Sequence, residues 1–365
     1  MKSALHAAIL LAGFVFLPAA RAADAASLPV EVSPTDAAIH YSGRFDMRDS
    51  TAPRCQWPAS AVTVRFSGTA LNVKLVDSGD DLWQVEIDGK QVSKLELTVD
   101  TQIYEVASGL PPGEHIVKLT KATEGFCGIT KFLGFQLDAG AKPLVPNVRK
   151  QTMLRRIEVI GDSISCGYGV EAADGNAQFT PRTENAALAY GALAAQTLGA
   201  DYTCIAFSGR KMWPDNTIPE LYDRTLTTDP ALKWDFTSWT PDAVIINLGT
   251  NDFGRYNPAE APWIDAYRKF IAHVRANYPK ALIYCTTGPM LGDDSARNTK
   301  STLLGYVRKI VAAENAAGDA NVRALDFGQQ DPANGLGANW HPSRKTHQLM
   351  AAKLVDTLRQ NLGWK

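Results

Sequence analysis

The chain has 365 residues, 45% hydrophobic and 21% charged, with 28 Gly and 20 Pro. This composition excludes a disordered chain, a collagen-like repeat and a coiled coil. A formal net charge of −1 gives no basic field to hold nucleic acid or an anionic membrane, and at about 150 residues per domain the length predicts two domains.

Residues 1–22 read as a secretory signal peptide. Lys2 is the basic start, Ala7 to Leu17 is a short apolar run, and Ala20-Arg21-Ala22 is a small-x-small cleavage site. The apolar run is too short to span a bilayer, and no later stretch is long and apolar enough. The expected mature protein is soluble, mildly acidic, monomeric, and secreted or periplasmic. Export permits disulfides. Five cysteines follow the signal: Cys55, Cys127, Cys166, Cys204 and Cys285. Cys55 and Cys127 share the N-terminal half and are candidates to pair; the alternative is five reduced, buried thiols. No Cys-x-x-Cys and no His/Cys cluster of zinc spacing occurs, so neither a metal nor another cofactor is expected.

Residues 23–140 read as an N-terminal β-sandwich domain. Ala61 to Phe66 alternates apolar and polar residues and precedes Ser67-Gly68; Leu71 to Leu75 alternates again. Leu82 to Ile87, an Asp88-Gly89 turn, and Val92 to Leu97 follow. His115 to Leu119 comes after Pro111-Pro112-Gly113. Short period-2 runs with frequent turn signals predict an antiparallel sandwich. Residues 141–153, with Gly140 just before and Pro143 and Pro146 inside, lack periodicity and read as a linker.

From residue 154 to 365 the pattern changes. Strands are expected at Ile157 to Ile160, Tyr202 to Ala206, Ala243 to Asn247, Leu282 to Cys285 and Val322 to Phe327. Helices are expected at Glu184 to Leu198, Trp263 to Asn277, Thr302 to Ala317 and Thr346 to Leu362. Strand–helix alternation predicts a parallel sheet covered on both faces. The fold class is therefore α/β, a flavodoxin-like doubly wound domain preceded by an antiparallel β-sandwich.

In such a sheet, ligands bind at the carboxyl ends of the strands. Those ends read Gly161-Asp162-Ser163, Ser208-Gly209-Arg210 and Gly249-Thr250-Asn251-Asp252, and the last loop holds Asn339-Trp340-His341-Pro342. This set suffices for acyl transfer. A serine hydroxyl needs a base to become a nucleophile, and His341 is the candidate base for Ser163. The backbone N–H groups of Ser163 and Gly209 and the amide of Asn251 are candidate donors to an oxyanion. Gly209 is expected because a residue without Cβ lets the backbone approach closely. Each motif alone is ordinary turn chemistry; together, at the right strand ends, they point to a site. His40, His115, His273 and His347 are expected in structural or surface roles. Tyr168, Trp213, Tyr222 and Trp340 flank the motif loops as candidate sugar-binding residues.

Ser163, Gly209, Asn251 and His341 match the four blocks of the SGNH (GDSL) hydrolases, which the chain resembles. The longer stretch Gly161-Asp-Ser-Ile-Ser-Cys-Gly-Tyr-Gly169, with Ser208-Gly209-Arg210, Gly249-Thr-Asn-Asp-Phe253 and Trp340-His341-Pro342, looks like carbohydrate esterase family 2. The resemblance covers nearly the whole mature chain. It implies a jelly-roll domain ahead of the hydrolase and removal of O-acetyl groups from plant polysaccharides such as xylan or glucomannan, often at the sugar 6-position. One departure stands out. Most of the superfamily has Asp three residues before the His, where this chain has Ala338; family 2 members often have Asp two before it, where this chain has Asn339. A Ser163–His341 dyad is therefore expected, with a neutral orienter drawn from Gly337 to Asn339 and Asn339 the named candidate. Asp331 is a remote alternative, and Asp162 is expected to hold its turn. Two other functions remain: an SGNH esterase or lysophospholipase acting on another acyl ester, and a carbohydrate-binding protein with little activity.

Overall fold

The computed structural model describes residues 29–100, 102–145, 155–293 and 296–365. The expected signal peptide and most of the expected linker lie outside the described residues.

The N-terminal half is two antiparallel sheets. One orders its strands Phe45–Asp46, Arg54–Cys55, Thr130–Leu137, Leu71–Asp77 and Ile103–Ala107, with Val30–Val32 paired to Thr130–Leu137. The other runs Lys142–Pro143, Ala61–Gly68, Gly113–Lys121, Leu82–Ile87 and Lys90–Glu96, with Ile39–Ser42 paired to Ala61–Gly68. Alternation explains the burial: in Leu71–Asp77 every second residue is buried. Val62, Val64 and Phe66 from one sheet meet Leu71, Val73, Leu75, Phe132 and Phe135 from the other in one core.

The C-terminal half is a five-stranded parallel sheet: β1 (Arg155–Gly161), β2 (Ala200–Ala206), β3 (Ala243–Asn247), β4 (Leu282–Thr287) and β5 (Val322–Asp326). The order is β2-β1-β3-β4-β5, the flavodoxin-like arrangement. The helices that position the site are α1 (Ser163–Cys166), α2 (Tyr190–Leu198), α3 (Thr250–Phe253), α4 (Glu260–Asn277), α5 (Thr299–Ala316) and α6 (Arg344–Leu362). Helix α4 turns Trp263, Tyr267, Phe270, Ile271 and Val274 into the core on one side of the sheet. Helices α2 and α6 pack in the core on the other side. No helix among the described residues is long and apolar enough to cross a membrane.

The two halves are joined through buried groups. Arg44 of the sandwich is fully buried against Glu158 of β1 at 3.6 Å and donates to the carbonyls of Tyr222 and Arg224. Trp57 of the sandwich lies in the hydrolase core. Ala186 N–H donates to Ala122 O at 2.8 Å, and Asn185 Nδ2 to Gln84 Oε1 at 3.0 Å.

All five cysteines are free and buried, so the Cys55–Cys127 pairing is not made. Cys55 instead stands opposite Thr130 in the ladder, which carries Cys127 past it.

Candidate active site

Sheet register sets the site. Gly161 at the end of β1 is level with Ala206 of β2 and with Asn247 of β3. Ser163, Gly209 and Asn251 therefore leave the sheet two to four residues past one common row. Asp162 caps α1, its Oδ1 accepting from Ile164 N–H at 3.1 Å, and Ser163 is the first helical residue. Asp162 is fully buried, and burial pushes its carboxyl up to about 7. It holds the turn, as expected from the sequence.

Ser163 Oγ lies 2.8 Å from His341 Nε2. His341 Nδ1 lies 3.0 Å from the carbonyl oxygen of Ala338. A carbonyl only accepts, so Nδ1 carries the hydrogen and Nε2 keeps the lone pair that faces the serine. Among the described residues no carboxylate hydrogen-bonds His341. Burial holds His341 below the usual histidine range, opposed by its backbone acceptors at Ala338 and Asn339. The orienting group is thus a backbone carbonyl and not the Asn339 side chain. Asn339 Oδ1 instead accepts from Tyr168 Oη at 3.0 Å. Asp331 caps a separate 3-10 turn, accepting from Ala333 N–H at 2.9 Å.

The turn before His341 is strained. Asn339 and Trp340 have φ of +49° and +59°, a region costing non-glycine residues on the order of 1–3 kcal/mol each. Backbone bonds hold it in place: Ala338 N–H to Gly169 O at 3.0 Å, Asn339 N–H to Ala177 O at 3.0 Å and Trp340 N–H to Gly175 O at 3.1 Å. Gly169 has φ +63°, and a Cβ there would lie 2.4 Å from Ala338 Cβ. Ala338 is fully buried on that glycine. A larger side chain at 338, a carboxylate included, has no room without moving the loop. Gly169→Ala is accordingly expected to displace the His341 turn and to lower kcat at least tenfold, an effect read by steady-state kinetics beside a melting curve.

The candidate oxyanion donors lie on three separate loops. Among the described residues, the N–H groups of Ser163 and Gly209 donate to no protein acceptor. Asn251 Nδ2 donates to Arg210 O at 2.8 Å and lies 3.5 Å from Asp162 Oδ2. These contacts link the three loops and fix the amide. The reason for Gly209 differs from the expected close approach. Nothing lies within 4 Å of a Cβ built there, and φ is +76°, so the left-handed turn is what calls for glycine. Asp252, unassigned from sequence, is buried and accepts from Met212 N–H, Trp213 N–H and Trp263 Nε1–H at 2.7–3.1 Å. It anchors the segment that follows Gly209.

Of the aromatic candidates, Trp340 is 58% exposed beside His341. Trp213 is half-buried and packs on the hydrolase core. The Tyr168 ring lies 4.2 Å from the His341 ring and stacks on Phe179 at 4.3 Å, so it packs directly on the candidate base. Tyr222 is a correction. It is fully buried, its Oη donates to Glu158 Oε1 at 2.7 Å, and its ring packs against the Arg44 guanidinium. It cannot reach a substrate. Sequence reasoning missed Phe126, Phe179 and Phe207, which form a chain of ring contacts running to Tyr168. Phe126 comes from the sandwich, so that domain supplies part of the rim. A large apolar residue isolated in a polar turn, as in Glu124-Gly125-Phe126, was the available signal.

A family model described as Carbohydrate esterase 2 N-terminal matches residues 41–146, and one described as GDSL-like Lipase/Acylhydrolase family matches residues 159–349. A family two carbohydrate esterase from Clostridium thermocellum, solved in complex with cellohexaose, superposes with a TM-score of 0.84 and 37% identity, covering 90% of this chain and 100% of that one. The chain belongs to carbohydrate esterase family 2. Its relatives include the Cellulase/esterase CelE of Acetivibrio thermocellus, 37% identical over 89% of this chain and 40% of that protein. The chain thus spans less than half the length of CelE. An Acetylxylan esterase / glucomannan deacetylase of Cellvibrio japonicus is 27% identical over 98% of each chain. Among the described residues, the other histidines make structural contacts: His115 bridges Asp88 and Pro111 O, His273 meets Asp223, His40 lies against Asp201, and buried His347 accepts from Tyr190 N–H at 3.2 Å.

Proposed function

We propose that this protein is a secreted or periplasmic, monomeric serine esterase that removes O-acetyl groups from plant polysaccharides, acetylated xylan or glucomannan, at the sugar 6-position. The observation that carries the chemistry is the Ser163 Oγ–His341 Nε2 contact of 2.8 Å, with Nδ1 held by a carbonyl. The named activity of the Cellvibrio japonicus relative supports the substrate class.

Ser163 Oγ attacks the acetyl carbonyl carbon as His341 Nε2 takes the hydroxyl proton. The carbonyl oxygen becomes an oxyanion, which the N–H groups of Ser163 and Gly209 and the Asn251 amide stabilise. His341 then gives its proton to the departing sugar oxygen, leaving acetyl on Ser163. Water attacks the acetyl-enzyme, His341 takes its proton, and acetate leaves as Oγ is reprotonated. A neutral acceptor serves because the Ala338 carbonyl enforces the productive tautomer, the property whose loss is costly when a triad Asp becomes Asn.

The base must be neutral to act, and burial lowers its pKa. Activity should therefore persist to lower pH than a free imidazole allows. The acid limb of the kcat/KM profile is expected below the ordinary histidine value of about 6.5. A limb centred above 7 would contradict this assignment.

Trp340 is exposed beside the base and offers a face to sugar. Trp340→Ala is expected to raise KM for polymer about tenfold, equivalent to about 1.4 kcal/mol, with kcat on a small aryl acetate nearly unchanged. The direct test of the function is acetate release from the two acetylated polymers. Hydrolysis of long-chain acyl esters instead would favour the lysophospholipase alternative.

A further inference from the structure

Beneath the Ser208–Gly209 turn lies a sealed pair of carboxyl groups that the mechanism above does not use. Glu124 comes from the sandwich, three residues past its strand Gly113–Lys121. Its carboxylate accepts Ser208 N–H at 2.6 Å and the Ser208 hydroxyl through its other oxygen. Its own backbone N–H donates to Glu184 Oε2 at 3.0 Å. Glu124 and Glu184 are both fully buried, and Glu184 Oε1 meets no protein donor. Lys121 lies nearby, but its ammonium is engaged by Asp81 at 2.5 Å and by Thr123 O at 2.9 Å.

Two adjacent buried carboxyls do not both ionise. Burial raises the Glu124 carboxyl too, but the two donors of Ser208 oppose that and make it the better anion. Glu184 faces only one, and burial together with the Glu124 charge pushes it well above the usual carboxyl range. The shared proton is therefore assigned to Glu184, whose Oε1 has no other hydrogen-bond partner.

We propose that Glu124 is a positioning residue for the esterase reaction: it clamps both polar groups of Ser208, and through them sets the Gly209 N–H of the oxyanion hole. This rests on the esterase reading above. Gly209 is exposed and left-handed, with nothing within 4 Å of a Cβ built on it, so its place depends on its neighbours. Asn216 Nδ2 reaches its carbonyl at 3.2 Å, and Arg210 is held at its own carbonyl by Asn251. The turn is also closed by Arg210 N–H to Phe207 O at 3.3 Å; Ser208 is a further anchor, and Glu124 holds it from the other domain. The sandwich therefore contributes to the chemistry as well as to the rim.

The test uses the full mature protein, with kcat and KM measured on acetylated glucomannan and on an aryl acetate. Removing one oxyanion donor costs about 10²–10³ in rate, so loosening one in Glu124→Ala is expected to lower kcat about 10- to 100-fold on both esters. KM and cellohexaose affinity should stay near the parent values. Ser208→Ala keeps the N–H bond and should lose less. Glu184→Ala should lower kcat, and Glu184→Gln should recover most of it, because an amide donates where the acid proton did and accepts where Oε2 did. If Glu124→Ala fails to fold, Ser208→Ala and the Glu184 pair carry the test. A folded Glu124→Ala with parental kcat overturns the proposal, as does a loss in Glu184→Ala that Gln does not rescue. Aryl acetate turnover without polymer turnover would fail the polysaccharide reading while leaving this test in force; inertness on both esters overturns both. Cys166 Sγ joins the two glutamates within 4.8 Å. Activity lost to a chelator and restored by zinc would put an ion in place of the shared proton and overturn the assignment.

Discussion

Ser163→Ala is expected to lower kcat for acetate release on the order of 10⁴-fold or more, and His341→Ala by a comparable factor. The two groups lie 2.8 Å apart and are expected to act as one unit. Without the hydroxyl there is no acyl-enzyme; without the imidazole the hydroxyl keeps its proton at neutral pH. The double variant should therefore be hardly worse than either single one. Oxyanion donors and substrate contacts survive in all three, so some rate above the uncatalysed reaction should remain. Both side chains sit at the end of the sheet and outside the core clusters, so melting temperatures should change little. Kinetics beside thermal melts check this. Near-additive losses would mean that the serine and histidine act independently, which the geometry does not allow.

Asn251→Ala should lower kcat about 10²–10³-fold, the usual cost of one oxyanion donor. The amide is preorganised by its bond to Arg210 O at 2.8 Å, so it need not reorient as charge develops. Because the donor acts on the oxyanion and not on the resting ester, KM should move little. Asp252→Ala, one residue on, should behave differently. It strands two backbone N–H groups and the Trp263 indole, so stability and activity should fall together. Steady-state kinetics and melting of the two variants separate a donor from an anchor.

Much of this was legible in the sequence because the relevant signals are local. Alternation located Ala61–Gly68 and Leu71–Asp77, and helical spacing located Glu260–Asn277. The motif residues fell at strand ends because a doubly wound sheet puts every loop after a strand on one rim. The strand Thr130–Leu137 was missed because Gly134 shifts its register and breaks the period. Helix α2, expected from Glu184, starts only at Tyr190: Glu184 is a buried acid and Asn185 caps a 3-10 turn, both committed to contacts with the sandwich. Tyr222 looked like a rim residue because its neighbour in space, Arg44, lies 178 residues away. The His341 orienter was legible only as a stretch, since which carbonyl meets Nδ1 depends on two left-handed residues that no pattern announces. Glu124 is of the same kind, as its partners Glu184 and Ser208 stand in the other domain.

The central claim is that a carbonyl-oriented Ser163–His341 dyad deacetylates polysaccharide. The most direct measurement is acetate released from acetylated glucomannan and xylan by the mature protein, followed over time beside long-chain acyl esters. Release of acetate from polymer, with the long-chain esters left intact, is the predicted result. No acetate from either polymer would contradict it, and binding of polysaccharide without turnover would then leave a carbohydrate-binding protein on an esterase fold.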